Sequence, residues 1–235
     1  ANGATLDLNG FTLGTAETLT INGTGLSSAG ALTNSSATAA TYSGLLTLGS
    51  SATIRASSGH IVLSNPGTIT GSGFGLTLDG TSTASSLASI VGTGAGTLTK
   101  AGTGTWTLTG NNTYTGSTTI NAGGTLQVGD GGTTGTLGAG SITNNGALSF
   151  NRSNDLTAAN NINGTGTLTK LGAGTLTLSG VNGYSGGTTI SAGVIKLGAV
   201  NALGLSGTTI ASGAALDLAG FAPGSSLPIN ISGTG

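Results

Sequence analysis

The sequence predicts an all-β fold, a parallel β-helix (β-solenoid) of about ten coils. Three observations predict it: a long internal repeat, a period-two alternation of aliphatic residues with Thr, and a composition suited to stacked coils. Gly supplies 47 of the 235 residues, aromatics 3% and charged residues 5%. Disordered chains are poor in apolar residues and rich in charge. This chain is 36% hydrophobic with a net charge of −1, so its Leu, Ile and Val need a core. With few aromatics, that core is expected to be thin, each side chain stacking on its like. One continuous solenoid is expected over residues 1–235, without a domain boundary.

Along the chain, short alternating runs recur at Leu19-Thr20-Ile21, Leu46-Thr47-Leu48, Leu76-Thr77-Leu78, Leu148-Ser149-Phe150 and Leu176-Thr177-Leu178. Each sends its apolar side chains to one face, as a half-buried strand does. Clusters at Gly110-Asn111-Asn112, Gly129-Asp130-Gly131-Gly132 and Asn144-Asn145-Gly146 separate such runs. These residues accept left-handed backbone angles and mark turns. Pro66, Pro223 and Pro228 fall near turns or strand starts, where a missing N–H does least harm. No stretch shows a capped helical period. Asn at the corners is expected to form side-chain ladders along the stack.

Residues 94–123 align without a gap with 164–193, an offset of 70, and about 20 of 30 positions are identical. After one deletion the frame resumes, so the internal repeats run over 94–129 and 164–198. A second correspondence joins the ends: residues 1–25 begin again at 211–235, an offset of 210. It includes Leu6/Leu216, Asp7/Asp217, Leu8/Leu218, Phe11/Phe221 and Ile21/Ile231. If 70 residues are three coils, a coil is ~23 residues. Ten coils at ~4.8 Å would make a rod of ~50 Å. The chain reads as one unit of about 210 residues and the start of the next, or as an array that the L-D-L-x-G-F phrase punctuates at intervals; on either reading it is a mature or internal piece of a longer array.

The frame G-A-G-T-L-T-K-A-G-T-G-T-W-T-L-T-G-N-N-T-Y-T-G-S-T-T-I-N-A-G at 94–123, with its copy at 164–193, resembles the autotransporter-associated β-strand repeat of bacterial passenger domains. The phrases A-L-S-F-N-R-S-N-D (147–155) and L-D-L-N-G-F (6–11) are similar to those proteins too. The resemblance implies a right-handed parallel β-helix, secreted and displayed on a bacterial cell surface.

Several function classes fall away on composition. Without Cys there is no thiolate metal site and no disulfide. Five Lys and Arg make no basic face for nucleic acid. No apolar run reaches the ~18 residues of a membrane helix, so no membrane insertion is expected from this segment. The six acids, Asp7, Glu17, Asp79, Asp130, Asp155 and Asp217, lie scattered, with Asp7 and Asp217 expected many coils apart. A glycan-cleaving site needs carboxylates gathered in one cleft. His60, the one histidine, has no partner signal and reads as a surface or turn residue. The Gly129–Gly132 stretch does not repeat at the nine-residue spacing of calcium-binding solenoids. No catalytic, cofactor-binding or metal residue is assigned, and no cofactor and no enzyme activity are expected.

Repeated residues are read as structural. Lys100 and Lys170 share the inward parity of Leu98 and Leu168, but the Gly two residues on suggests that the strand ends and the ammonium leaves at a corner. Tyr114 and Tyr184 are expected to pack a turn, and Trp106, where the copy has Leu176, to fill the core. Triplets such as Thr97-Leu98-Thr99 and Thr105-Trp106-Thr107 resemble the outward Thr pairs of ice-binding solenoids, but they come in pairs eight residues apart and then vanish for dozens of residues. They read as solvent-facing strand Thr.

The function expected is therefore that of a structural stalk or passenger segment of a large secreted, adhesin-like surface protein. The alternatives are a subunit of a self-assembling extracellular filament and, behind it, a glycan-binding or glycan-cleaving β-helix. The partners expected are further copies of the same repeat, covalent or end to end. Cell-surface or glycan contact is expected elsewhere in the parent protein.

Overall fold

The computed structural model describes residues 3–223 and 228–232. The strands between these limits pair in parallel, each with the strand one coil before and one coil after. The chain winds through three faces per coil. The first face runs from Leu6–Asp7 through Leu98–Lys100 and Thr118–Ile120 to Gly183–Tyr184. The second holds eleven strands, from Thr12–Leu13 to Ile229–Ile231. The third is paired in two stretches: one in which Leu19 and Ile21 pair Leu46 and Leu48, Thr47 bridges to Thr70 and Thr68–Ile69 pairs Ile90–Val91, and another from Leu156–Ala158 through Thr175–Leu178 and Val194–Leu197 to Ala215–Asp217. Between them only an isolated bridge, Asn111 to Thr136, continues it among the described residues. The coil number agrees with the expected ten or so.

Period-two alternation produces these strands. Thr105–Leu108 and Thr175–Leu178 bury their second and fourth residues and leave the Thr half-exposed. The inward residues form one column per position, such as Trp106, Leu126, Leu148 and Leu168, all essentially buried. The core is thus a single aliphatic stack threaded by Trp106, Tyr114 and Tyr184. One short 3-10 turn, Leu26–Ser28, interrupts the strands near the start.

The expected coil arithmetic needs correction. Leu98 stacks on Thr118, Thr118 on Ile142 and Ile142 on Ile162, so successive coils are unequal in length. Three coils from Leu98 end at Ile162, short of its repeat partner Leu168. Leu168 lies beyond that point, on the second face. The repeat offset is therefore three coils plus one face. The same holds along the whole repeat: Thr105–Leu108 is on the second face and Thr175–Leu178 on the third. The terminal correspondence also changes face, with Leu6 on the first and Leu216 on the third. Its residues 1–2, 224–227 and 233–235 lie outside the described residues.

Local sequence specifies strand, turn and strand, but the face is set by how many residues precede it in the winding. The three faces are equivalent enough in their inward geometry for one motif to serve on any of them.

Candidate functional site

The repeated residues make the same contacts in both copies. Asn112 Oδ1 accepts the Val91 amide at 2.7 Å, one coil before, and its Nδ2 donates to the Thr136 carbonyl at 2.7 Å, one coil after. In the second copy Asn182 accepts from the Ile162 amide at 2.8 Å and donates to the Ala202 carbonyl at 2.6 Å. Each Asn ties three coils through backbone groups. The expected Asn-on-Asn ladder is replaced by this bridging, because a buried amide satisfies an orphan N–H and C=O at once.

Tyr114 and Tyr184 follow two residues later and are fully buried. Their hydroxyls meet Thr118 Oγ1 at 2.7 Å and Thr188 Oγ1 at 2.6 Å. Burial raises both phenols, and Tyr184 is pushed up to about 12 even though Thr188 pulls the other way. They pack the turn, as the repeat suggests. Trp106 is buried in the core, and its indole N–H donates to the Asp79 carbonyl at 3.0 Å.

The lysines depart from expectation. Lys100 and Lys170 are 0% and 2% exposed. The strand parity holds to its last residue, so the side chains turn inward rather than leaving at a corner. The Lys100 ammonium donates to the carbonyls of Ala101 and, at 3.0 Å, Gly102. That of Lys170 donates to the carbonyls of Gly172 and, at 3.4 Å, Ala192. Each lysine curls over the turn that follows its own strand, and Lys170 also reaches the turn one coil on. Burial lowers both ammonium groups, Lys100 to about 8, against the opposing pull of Asp79 and Asp155 respectively.

Arg152, in the linking phrase, has a role that the sequence reading missed. It is buried, donates to the Gly135 and Thr133 carbonyls at 2.7 and 2.6 Å, and clasps Asn154. It holds the Gly129–Gly135 loop against the rod. A lone Arg beside Asn in a charge-poor chain was its only signal.

The acids do not gather in a cleft. Asp130 Oδ1 accepts the Gly132 amide within its own turn. Asp155 Oδ1 accepts the Thr175 amide at 2.9 Å, and this bond holds its carboxyl low. Asp217 Oδ1 accepts the Ala219 amide. His60 is half-buried, and its carbonyl accepts the Ala40 amide and the Asn34 side chain. Among the described residues, no three of His, Asp and Glu come together as a metal site. One outward column of the first face does collect charge in register: Asp7, Thr33, Arg55 and Asp79. Its members are a full coil apart along the chain, at unequal distances, and this hid it from a linear reading.

The Thr triplets need a second correction. The outward Thr residues that vanish from the linear sequence return in space: Thr53, Thr77, Thr99, Thr119 and Thr143 stack in five successive coils of the first face. Their spacing along the chain varies with loop length, which is why the column was not visible.

The family profile described as passenger-associated-transport-repeat matches residues 98–128 and 168–197. The chain is also 44% identical over 68 residues to the adhesin BmaC autotransporter of Brucella suis biovar 1 (strain 1330). That match covers 28% of this chain and 2% of that protein's length. No solved structure matches significantly. The two matched stretches coincide with the repeats whose Asn and Tyr contacts are duplicated. The chain is a β-solenoid in which two stretches, residues 98–128 and 168–197, are similar to the passenger-associated-transport-repeat.

Proposed function

We propose that this chain is a non-enzymatic stalk segment of a large, secreted, adhesin-like protein displayed on a bacterial surface. One observation carries the reading. The repeated motif recurs with the same buried contacts but on a different face. A ligand site multiplied by repetition would gain from a constant face. A device that adds length needs only the inward geometry, which every face supplies. The repeat's most distinctive side chains, Asn, Tyr and Lys, are all buried, and the Asn side chains bridge successive coils. Parallel ladders along its length give stiffness and leave few loops for proteases. The kinship with an autotransporter adhesin supports a place within a far longer surface protein.

The denatured mass of the native polypeptide tests this reading. A mass far above 22.0 kDa is expected. A mass near that value would overturn the covalent stalk in favour of a self-assembling filament subunit. The second reading has its own support in the exposed apolar residues at both ends: Leu6, Phe11 and Leu13 at one, Leu218, Ile229 and Ile231 at the other. Open solenoid ends of this kind pair with a further coil, whether from the same chain or another.

A further inference from the structure

We infer that the first three coils carry a shallow saccharide-binding groove, separate from the duplicated repeats. The groove holds about 350 Å³ and lies on the outer side of the first face. Its floor is the column Asp7, Thr33, Arg55, and one wall is the irregular Leu26–Ala29 segment. Volumes of this size are at the lower end for small-ligand sites.

The groove is built rather than incidental. The wall is pinned in place: Thr5 Oγ1 donates to the Gly30 carbonyl at 2.9 Å and accepts the Leu26 amide at 2.7 Å. Ser27 and Ser28 sit at φ +48° and +62°, so the segment is held in a shape that a relaxed loop would leave. Asp7 is oriented by Ser35, whose amide and hydroxyl both donate to its carboxylate, and by the Asn9 amide. Arg55 Nη1 reaches the Ser28 carbonyl of the wall at 3.4 Å. Its Nε is buried and ion-paired with Asp79 Oδ2 at 3.7 Å.

The chemistry selects the ligand. The groove offers an acceptor (Asp7), a guanidinium donor (Arg55) and an exposed apolar side chain (Leu26, 67% exposed) on its wall. A neutral pyranose presents the complement, hydroxyls that both donate and accept and a face of C–H groups. An anion is disfavoured, because Arg55 is flanked on its column by two carboxylates, Asp7 and Asp79. An extended peptide is disfavoured too, because strands on both sides already pair the backbone here.

The test is an amide chemical-shift titration of this chain with the methyl pyranosides of glucose, galactose and mannose, and with sodium acetate as the anionic probe. At least one glycoside is expected to shift amides at 26–29, 33–35 and 55–57, with a dissociation constant of about 1–10 mM. Arg55→Met is expected to weaken it at least about tenfold. Leu26→Ala, an exposed position that leaves the fold intact, is expected to weaken it a few-fold. No shift at about 100 mM of any glycoside would overturn the proposal, as would acetate shifting the same amides equally. A titration unchanged in both variants would also overturn it.

Discussion

Ala219 occupies a left-handed backbone position, φ +49°, which Asn9 fills at +45° in the matching turn. Both turns close with the same bonds: Asp7 and Asp217 accept the amide two residues on, and Phe11 and Phe221 donate to Leu8 and Leu218. Asn tolerates this region better than Ala. Ala219→Asn is expected to stabilise the turn by about 0.5–1 kcal/mol, seen as a few-fold slower exchange of the Phe221 amide. Lys100 supports a prediction with a definite sign. Its folded pKa of about 8 lies below the ordinary 10.5, so between those values the unfolded chain binds more protons. Stability therefore rises as pH goes from about 8 towards 10. Above 10, the raised tyrosines reverse the slope, because the folded state now retains the extra proton. Thermal melts across pH 7–11 should show this maximum near pH 10, and Lys100→Met should flatten the rising limb.

At the scale of the strand and its turn, close stacking decides what can change. A Cβ on Gly186 would lie 2.2 Å from the Gly166 carbonyl oxygen, a backbone atom of the coil before. On Gly187 the nearest atom is 3.3 Å away. Gly186→Ala is expected to cost more than about 2 kcal/mol and Gly187→Ala less than about 1, compared by urea midpoints. Asn182→Ala strips a buried N–H and a buried C=O of their partners in adjacent coils, an expected loss of about 2–4 kcal/mol. Strands such as Thr175–Leu178 were legible because period two is local. The inward turn of Lys170 was half-legible: parity called for it, and the expected strand end argued against it. Burial wins because the turn behind the strand leaves its carbonyls facing the ammonium.

For the whole molecule, the ends govern behaviour in solution. Ile231 is 76% exposed on the last strand of the second face, and Leu13 is 38% exposed on the first. Sedimentation velocity is expected to show association that increases with concentration. Ile231→Lys should suppress it, since a charge on an edge strand opposes pairing. A monomer at every concentration would count against open ends.

The sequence alone determined the strands, the turns, the parallel stacking and the kinship, because alternation, turn chemistry and repetition are each written within a few dozen residues. The L-D-L-x-G-F turn and the twin Asn and Tyr contacts follow from local phrases wherever those phrases fall. Only the tertiary structure decided which face each phrase occupies, since that depends on the summed lengths of all preceding loops. The repeat spacing looks like a whole number of coils until the unequal coils from Leu98 to Ile162 are laid end to end and a face is left over. For the same reason the Asp7, Arg55 and Asp79 column and the Thr column were invisible in the linear chain. Outward neighbours are one coil apart, and the coil is not a constant number of residues.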